Sequence, residues 1–159
     1  MLRVLFATSE AHPLVKTGGL ADVGASLPRA LKNIGVDITL ILPAYATVLE
    51  KPDVKSAKII STVTINGHDI HLRQTRLPGT RVRVLLVDSS VFSERGGNPY
   101  CGYDGADWKD NHWRFFYFCK VIELVATNQA HLNWQPDIVH CNDWQTGLVP
   151  ALLQSYADR

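Results

Sequence analysis

The fold is decided by residues 16–20, Lys-Thr-Gly-Gly-Leu, and by the segments on either side of them. An apolar run at 2–7 precedes this stretch, and an amphipathic run at 20–34 follows it. The first run is typical of a buried strand, whereas the second has apolar residues at three- and four-residue steps, as in a helix with one buried face. A further apolar run at 36–42, ended by Pro43, completes a strand–helix–strand unit of a parallel sheet.

The predicted helix at 20–34 contains Pro28, which removes a backbone hydrogen bond and crowds the carbonyl of Gly24. We expect a kink there rather than the end of the helix. Gly35 follows the last apolar position and is well placed as the C-cap.

The rest of the sequence predicts a hairpin followed by further helices and strands. The runs at 59–65 and 68–76 flank Asn66-Gly67, a pair that supplies the positive φ angles of a type I′ turn. Further predicted elements are a strand at 81–87, a helix at 111–128 with Asp110 as N-cap, a strand at 137–140 and a last helix after 144, with loops at 44–58 and 94–108. We therefore predict an α/β fold, a Rossmann-like three-layer domain with a parallel sheet and an added β-hairpin, over residues 1–159.

The predicted helix at 111–128 is apolar on most sides, so we expect it to be largely buried. One stripe along it consists of Trp113, Phe116, Tyr117, Val121, Leu124 and Val125. We interpret this stripe as core rather than as a platform for a ligand.

Lys16, Gly18 and Gly19 form a candidate phosphate site. The first N–H groups of a helix have no intrahelical partner, glycine lets a ligand approach them closely, and the lysine adds a full charge. A P-loop is disfavoured because the lysine precedes the glycines, and the next glycine, Gly24, is too distant for a dinucleotide fingerprint. A helix-start loop with one solvated lysine also fits these residues.

A second polar cluster follows the predicted strand at 137–140 and contains His140 and Asp143. Ligands of parallel sheets bind beyond the carboxyl ends of the strands, so we expect this cluster and the Lys16 loop at the same edge. Asp143, or as second choice Asp22, is a candidate to position or deprotonate an acceptor hydroxyl. His140 fits either a substrate contact or a strand-end histidine satisfied by backbone groups.

The predicted loop at 94–108 is rich in glycine and carries Tyr100, Tyr103 and Trp108. Loops of this length are uncommon unless they are functional or disordered. Its aromatic side chains fit stacking on sugar rings, and a disordered surface loop is the alternative that the sequence leaves open.

Several segments together resemble bacterial glycogen synthases and plant starch synthases, which belong to glycosyltransferase family 5. The matching segments are 9–10 (Ser-Glu), 13–14 (Pro-Leu), 16–23 (Lys-Thr-Gly-Gly-Leu-Ala-Asp-Val), 110–115, which contains Asp-Asn and Arg-Phe, and 137–148 (Asp-Ile-Val-His-Cys-Asn-Asp-Trp-Gln-Thr-Gly-Leu). Two separated motifs in the right order are far more specific than either one. At Asn142 many bacterial members have histidine, which leaves a role for this residue open.

The resemblance implies a retaining enzyme that transfers glucose from ADP-glucose, or UDP-glucose, to the non-reducing end of an α-1,4-glucan. It also implies a GT-B fold, in which two Rossmann-like domains face a cleft. This chain would be the N-terminal, acceptor-side domain, the nucleotide-binding C-terminal domain would lie outside it, and the fragment alone would be inactive. Retention would follow a front-face mechanism, in which the departing phosphate helps to deprotonate the acceptor.

The resemblance also implies roles for individual residues. Lys16, Gly18 and Gly19 would lie at the phosphates of the sugar nucleotide. Asp143 would lie near the reacting centre, and Asn111 would border the acceptor. With the residue types considered above, the candidate acceptor-side residues are Asn111, His140 and Tyr100.

The composition excludes several other classes of function. The chain has 16 Lys and Arg against 15 Asp and Glu, so nothing favours nucleic acid or an anionic membrane as partner. The apolar runs are too short for a membrane helix, and the N-terminus is not an export signal. No metal or cofactor is implied, and three widely spaced cysteines indicate a reducing compartment, the cytoplasm or, in a plant, the plastid stroma.

A second hypothesis remains at this point. The chain also fits a non-catalytic Rossmann-like module that binds a glucan or a phosphate ligand. The presence of a second Rossmann-like domain in the same protein would favour the enzyme.

Overall fold

The strand–helix–strand pattern around residues 16–20 forms the centre of the fold. The computed structural model describes residues 1–158, which form one six-stranded sheet in the order β3-β4-β5-β2-β1-β6. The strands are β1 (Arg3–Ala7), β2 (Asp37–Pro43), β3 (Lys58–Ile65), β4 (His68–Arg76), β5 (Arg83–Asp88) and β6 (Ile138–Cys141). The helices are α1 (Gly19–Asn33), α2 (Ala46–Leu49), α3 (Pro52–Lys55), α4 (Ser90–Ser93), α5 (Asn111–Ala126) and α6 (Val149–Ala157), with a 3₁₀ turn at Trp144–Thr146.

The predicted α/β class and the parallel core of the sheet are confirmed. β1 is parallel to β2 and to β6, and β2 is parallel to β5. Because these four strands run the same way, their carboxyl ends meet at one edge of the sheet. The loops after β1, β2, β5 and β6 all leave from this edge, which we call the carboxyl edge.

The predicted hairpin is β3–β4, which joins β5 through an antiparallel pair. Asn66 and Gly67 have φ angles of 51° and 78°, as the type I′ turn requires. One extra residue stands in β3 between Ile59 and Ser61, where the pairing with β4 shifts by a β-bulge.

Helix α1 passes through Pro28 without ending, as predicted. It ends in a Schellman motif, in which the N–H of Gly35 donates to Lys32 O and the N–H of Val36 donates to Leu31 O. Gly35 has a φ of 91°, so the predicted role of this glycine at the end of the helix is confirmed.

The core lies on both faces of the central strands β1, β2 and β5, whose apolar side chains are almost fully buried. Helix α5 packs against it through only part of the predicted stripe, of which Val121 and Val125 are buried in the core. Its most buried side chains include Phe115, Phe118, Cys119 and Ile122, whereas Trp113 is 52% exposed. Since α5 is apolar around most of its circumference, its periodicity could not determine which face would be buried.

Three short helices were not predicted. The segment 44–58, which we expected to be a loop, contains α2 and α3, and α4 follows β5. Each has four residues, which is too short for a helical period to be recognised. Asp110 is the N-cap residue of α5 as predicted, but its carboxylate pairs with Arg95 instead of capping the helix.

No helix within residues 1–158 is long and apolar enough to span a membrane.

Gly24 gives a test of the contact between α1 and the loop after β1. A Cβ at this position would lie 2.3 Å from the carbonyl oxygen of Glu10. Alanine in place of glycine ordinarily stabilises a helix interior by about 0.5–1 kcal/mol, whereas here overpacking should cost about 1–3 kcal/mol. We therefore expect Gly24→Ala to lower the free energy of unfolding, measured by denaturant titration. Gly19→Ala, where the new Cβ meets open space, is the control, and equal stability of both variants would contradict the contact.

Candidate functional site

The loops at the carboxyl edge are joined by direct contacts. Tyr100, in the loop after β5, donates from its hydroxyl to Glu10 Oε1 at 2.6 Å, and this hydroxyl lies 2.8 Å from Ser9 Oγ in the loop after β1. The ring of Tyr100 lies 6.0 Å from that of Trp144, which follows β6. The two sequence motifs, which are more than a hundred residues apart, therefore meet at one edge as predicted.

Glu10 is the centre of these contacts. Its carboxylate accepts the backbone N–H and the hydroxyl of Thr17, both at 2.6 Å, and the N–H of Gly18 at 3.3 Å, in addition to the hydroxyl of Tyr100. Burial would raise the pKa of Glu10, but the hydrogen bonds from Thr17, Tyr100 and Gly18 outweigh it and hold that pKa below its usual value. The carboxylate is thus ionised at neutral pH and fixes the residue 16–19 loop.

Sequence reasoning gave Glu10 no role of its own. A signal was available, because Glu10 lies three residues after the end of a strand predicted to be buried, and a carboxylate buried there needs hydrogen-bond partners. Its partners, however, come from a glycine loop and from Tyr100, 90 residues away, and only the fold shows that these meet.

Lys16 lies at the surface and is already paired. Its Nζ lies 2.7 Å from both carboxylate oxygens of Asp22, and the two side chains are 47% and 58% exposed. Lys16, predicted to bind a phosphate, and Asp22, the second candidate for the catalytic carboxylate, therefore form an ion pair with each other in this structure.

Gly18 and Gly19 adjoin open space, as a site for a close ligand requires. A Cβ on either glycine would meet no atom within 4 Å. The N–H of Gly18 is occupied by Glu10, but that of Gly19, the first residue of α1, has no hydrogen-bond partner within residues 1–158. The open donors of the predicted phosphate site are therefore Gly19 and, after release from Asp22, Lys16.

Asp143 has a strained backbone. Its φ of 64° and ψ of −178° lie in a region that is almost restricted to glycine, and such strain costs about 1–3 kcal/mol. Its side chain is exposed, and Oδ1 accepts the N–H of Trp144 at 2.7 Å. Residues held in such conformations concentrate at functional sites, and this one is the predicted catalytic aspartate of the second motif.

His140 and Asn142 lie at the end of β6. The ring of His140 packs edge-on against Phe6 at 4.8 Å, and its nitrogens have no hydrogen-bond partner in the described part of the chain. Asn142 donates from Nδ2 to Ala7 O at 2.9 Å and to His140 O at 3.2 Å. Asn142 therefore ties β6 to β1, which gives it a structural role that the sequence did not reveal.

Asn111 anchors the loop after β5. Its Nδ2 donates to Tyr100 O at 2.9 Å, and its Oδ1 accepts from Arg114 at 2.7 Å. Arg114, which is 1% exposed, also donates to Val91 O and Pro99 O. Asn111, predicted at the acceptor side, thus holds the loop after β5 in this structure. The structural role of Arg114 was missed because two of its partners are backbone carbonyls distant in sequence.

These contacts give the loop at 94–108 a defined structure, but the ring of Tyr100 is not open for stacking on a sugar. Its ring packs against Phe115 and Trp144, and its buried hydroxyl binds Glu10. Burial and the bond to Glu10 raise the pKa of Tyr100, so the phenol stays protonated and serves as a donor. Tyr103, which is 92% exposed, presents its ring to solvent.

The chain is similar in sequence to known proteins. Over its whole length the chain is 59% identical to the glycogen synthase of Cellvibrio japonicus and covers 33% of that protein. It is 47% identical to the glycogen synthase of Thioalkalivibrio sulfidiphilus, with 99% of the chain and 33% of the relative covered. The chain thus spans about a third of the length of these relatives.

A solved structure shows the same architecture. The catalytic domain of starch synthase IV from Arabidopsis thaliana, bound to ADP and acarbose, superposes with a TM-score of 0.73 at 26% identity. This match covers 97% of the chain and 32% of the plant protein, so the predicted N-terminal GT-B architecture is confirmed. The model of the starch synthase catalytic domain family matches residues 3–159, and the chain belongs to that family.

Proposed function

We propose that this chain is the N-terminal, acceptor-side domain of a retaining glucosyltransferase that transfers glucose from ADP-glucose to the non-reducing end of an α-1,4-glucan. The observation that carries the proposal is the meeting of the Lys16 loop and the Asp143 motif at one edge of the sheet. The relatives named glycogen synthase and a starch synthase that holds ADP and acarbose support a nucleotide-sugar donor and a glucan acceptor.

The donor phosphates would contact Lys16 and the N–H of Gly19. We propose that a phosphate replaces Asp22 as the partner of Lys16, because an exposed ion pair of this kind contributes only about 0.2–1 kcal/mol. The N–H of Gly18 already donates to Glu10, so Gly18 would contribute only by leaving room for the phosphate, because it has no side chain. Positive charge at this point stabilises the diphosphate as the glycosidic bond breaks.

Asp143 would act at the reacting centre. Its exposed carboxylate lies at the carboxyl edge, where it can orient the acceptor hydroxyl or face the positive charge that develops on the sugar ring. We propose that Asp22 contributes by holding the side chain of Lys16 in position until the donor phosphate replaces it. His140 would contact the sugar with its unpartnered ring, and Asn111 and Tyr100 would shape the acceptor side through the loop at 94–108.

The rest of the site would come from outside these residues. We propose a second, nucleotide-binding domain C-terminal to this one, since the chain covers about a third of each relative. We also propose a cytoplasmic location, because Cys101, Cys119 and Cys141 are all free thiols, as in a reducing compartment.

The test of the function is an elongation assay with the full-length protein. We expect incorporation of labelled glucose from ADP-glucose into a maltooligosaccharide, with retention of the α-configuration, and no turnover by residues 1–159 alone. Parallel reactions with UDP-glucose identify the donor. Glucan binding by the full-length protein without any transfer would instead support a non-catalytic module.

Lys16→Ala tests the donor site in the full-length protein. Loss of the cation should reduce kcat about a hundredfold, as expected for removal of one preorganised charge-stabilising group. Lys55→Ala, which removes an exposed lysine from α3, should leave the rate unchanged. Full activity of Lys16→Ala would refute the phosphate role.

Asp143→Gly separates strain from catalysis. Glycine adopts the backbone angles of residue 143 freely, so release of about 1–3 kcal/mol should exceed the few tenths of a kcal/mol lost with the cap. We expect a higher melting temperature together with a large loss of glucosyl transfer. Asp143→Asn keeps the side-chain shape and should lose activity without the gain in stability. A destabilised glycine variant would argue against strain, and an active one against catalysis.

A further inference from the structure

A cavity of about 250 Å³ lies away from the carboxyl edge, where β5 begins. Its walls come from the β3–β4 hairpin, from the first residues of β5 and from the segment 131–134. Arg83, the first residue of β5, is in the wall, whereas Asp88 at the other end of that strand reaches the carboxyl edge. Pockets for drug-sized ligands measure roughly 300–1,000 Å³, so this one fits a small metabolite.

Arg83 is a half-buried cation without an acidic partner. Its Nε donates to Thr39 Oγ1 at 2.9 Å, and its guanidinium carbon lies 4.7 Å from the centroid of the Trp134 ring. Its Nη2 is buried and has no hydrogen-bond partner within residues 1–158, none of whose carboxylates lies within 4.0 Å of the guanidinium. Burial accordingly lowers the pKa of Arg83, and a charge held in this way is costly unless something neutralises it.

Asp37, whose charge acts on Arg83, is engaged elsewhere. Its Oδ2 accepts from Trp134 Nε1 at 2.7 Å, and its Oδ1 lies 3.5 Å from Lys32 Nζ. Asp37 therefore fixes the indole on which Arg83 stacks and leaves the guanidinium free to bind a ligand in a preformed position.

The surroundings add further positive charge. Arg76 stands directly opposite Arg83 in the β4–β5 pairing, and like charges in that arrangement repel each other unless an anion lies between them. No acidic side chain from the part of the chain that the structure describes lines the cavity.

We propose that this cavity binds a small metabolite through an oxyanion group, a phosphate or a carboxylate, that contacts Arg83. Nε is engaged by Thr39 and Nη2 is buried, so Nη1 is the nitrogen that would donate to the oxyanion, and the stacking on Trp134 holds it in place. The amides of Gln74 and Asn133, which also line the cavity, would bind hydroxyl groups on the remainder of the ligand. The proposal is independent of the roles assigned to Lys16 and Asp143.

The test measures binding to the full-length protein by calorimetry, in saturating ADP so that a donor site does not contribute. The probes are glucose 6-phosphate, gluconate and uncharged glucose at millimolar concentrations. We expect one or both anions to bind and glucose not to bind. The anion that binds more tightly identifies the group as phosphate or carboxylate, and failure of both would overturn the proposal.

Two variants locate the binding. Arg83→Met should weaken it at least tenfold, a factor that corresponds to about 1.4 kcal/mol. Asn133→Asp places a carboxylate in the cavity wall, where it would repel the anion and give Arg83 a partner, so we expect lost binding with an equal or higher melting temperature. Arg73→Met removes a half-buried arginine that pairs with Asp88 and should leave the affinity unchanged. Unaltered affinity in both Arg83→Met and Asn133→Asp would overturn the assignment.

Discussion

The carboxylate of Glu10 is the interaction on which the carboxyl edge depends. A buried carboxylate must be supplied with donors, and here they come from the glycine loop and from Tyr100. One ionised group thus sets the path of residues 16–19 and the position of the loop after β5. Its backbone is held as well, since Thr8 Oγ1 donates to Glu10 O at 3.0 Å and Gly24 packs against the same carbonyl.

The site combines a rigid frame with groups that can change partner. The buried hydrogen bonds of Glu10 and Arg114 keep the loops in place, and loss of a neutral partner of either group would leave a buried charge with fewer hydrogen bonds. Lys16 and Asp22, by contrast, meet in water, where their pairing is weak enough for an anionic substrate to compete. The frame therefore determines where the cation stands, and the exposed pair leaves it available to a ligand.

The sequence predicted those features that depend on local pattern. Alternation, helical period and the Asn66-Gly67 turn identified the sheet, α1 and the hairpin, and the order of strands and helices placed both motifs at one edge. Features that depend on partners distant in sequence could not be predicted from these patterns. Arg114 is buried and donates to backbone carbonyls that only the fold brings near it. The strained backbone angles of Asp143 cannot be recognised from its residue type. The buried face of α5 was predicted only in part, because apolar residues surround the helix.

The bulge in β3 has a consequence for association between molecules. β3 is one of the two edge strands of the sheet, and Ile59 and Ile60 are 48% and 41% exposed there. A straight edge with exposed isoleucines would be a template for another strand, as in aggregation. The extra residue between Ile59 and Ser61 breaks the regular spacing of donors and acceptors along this edge, so an approaching strand cannot pair in register across it. The irregularity thus protects this edge of the sheet against pairing with a strand of another molecule.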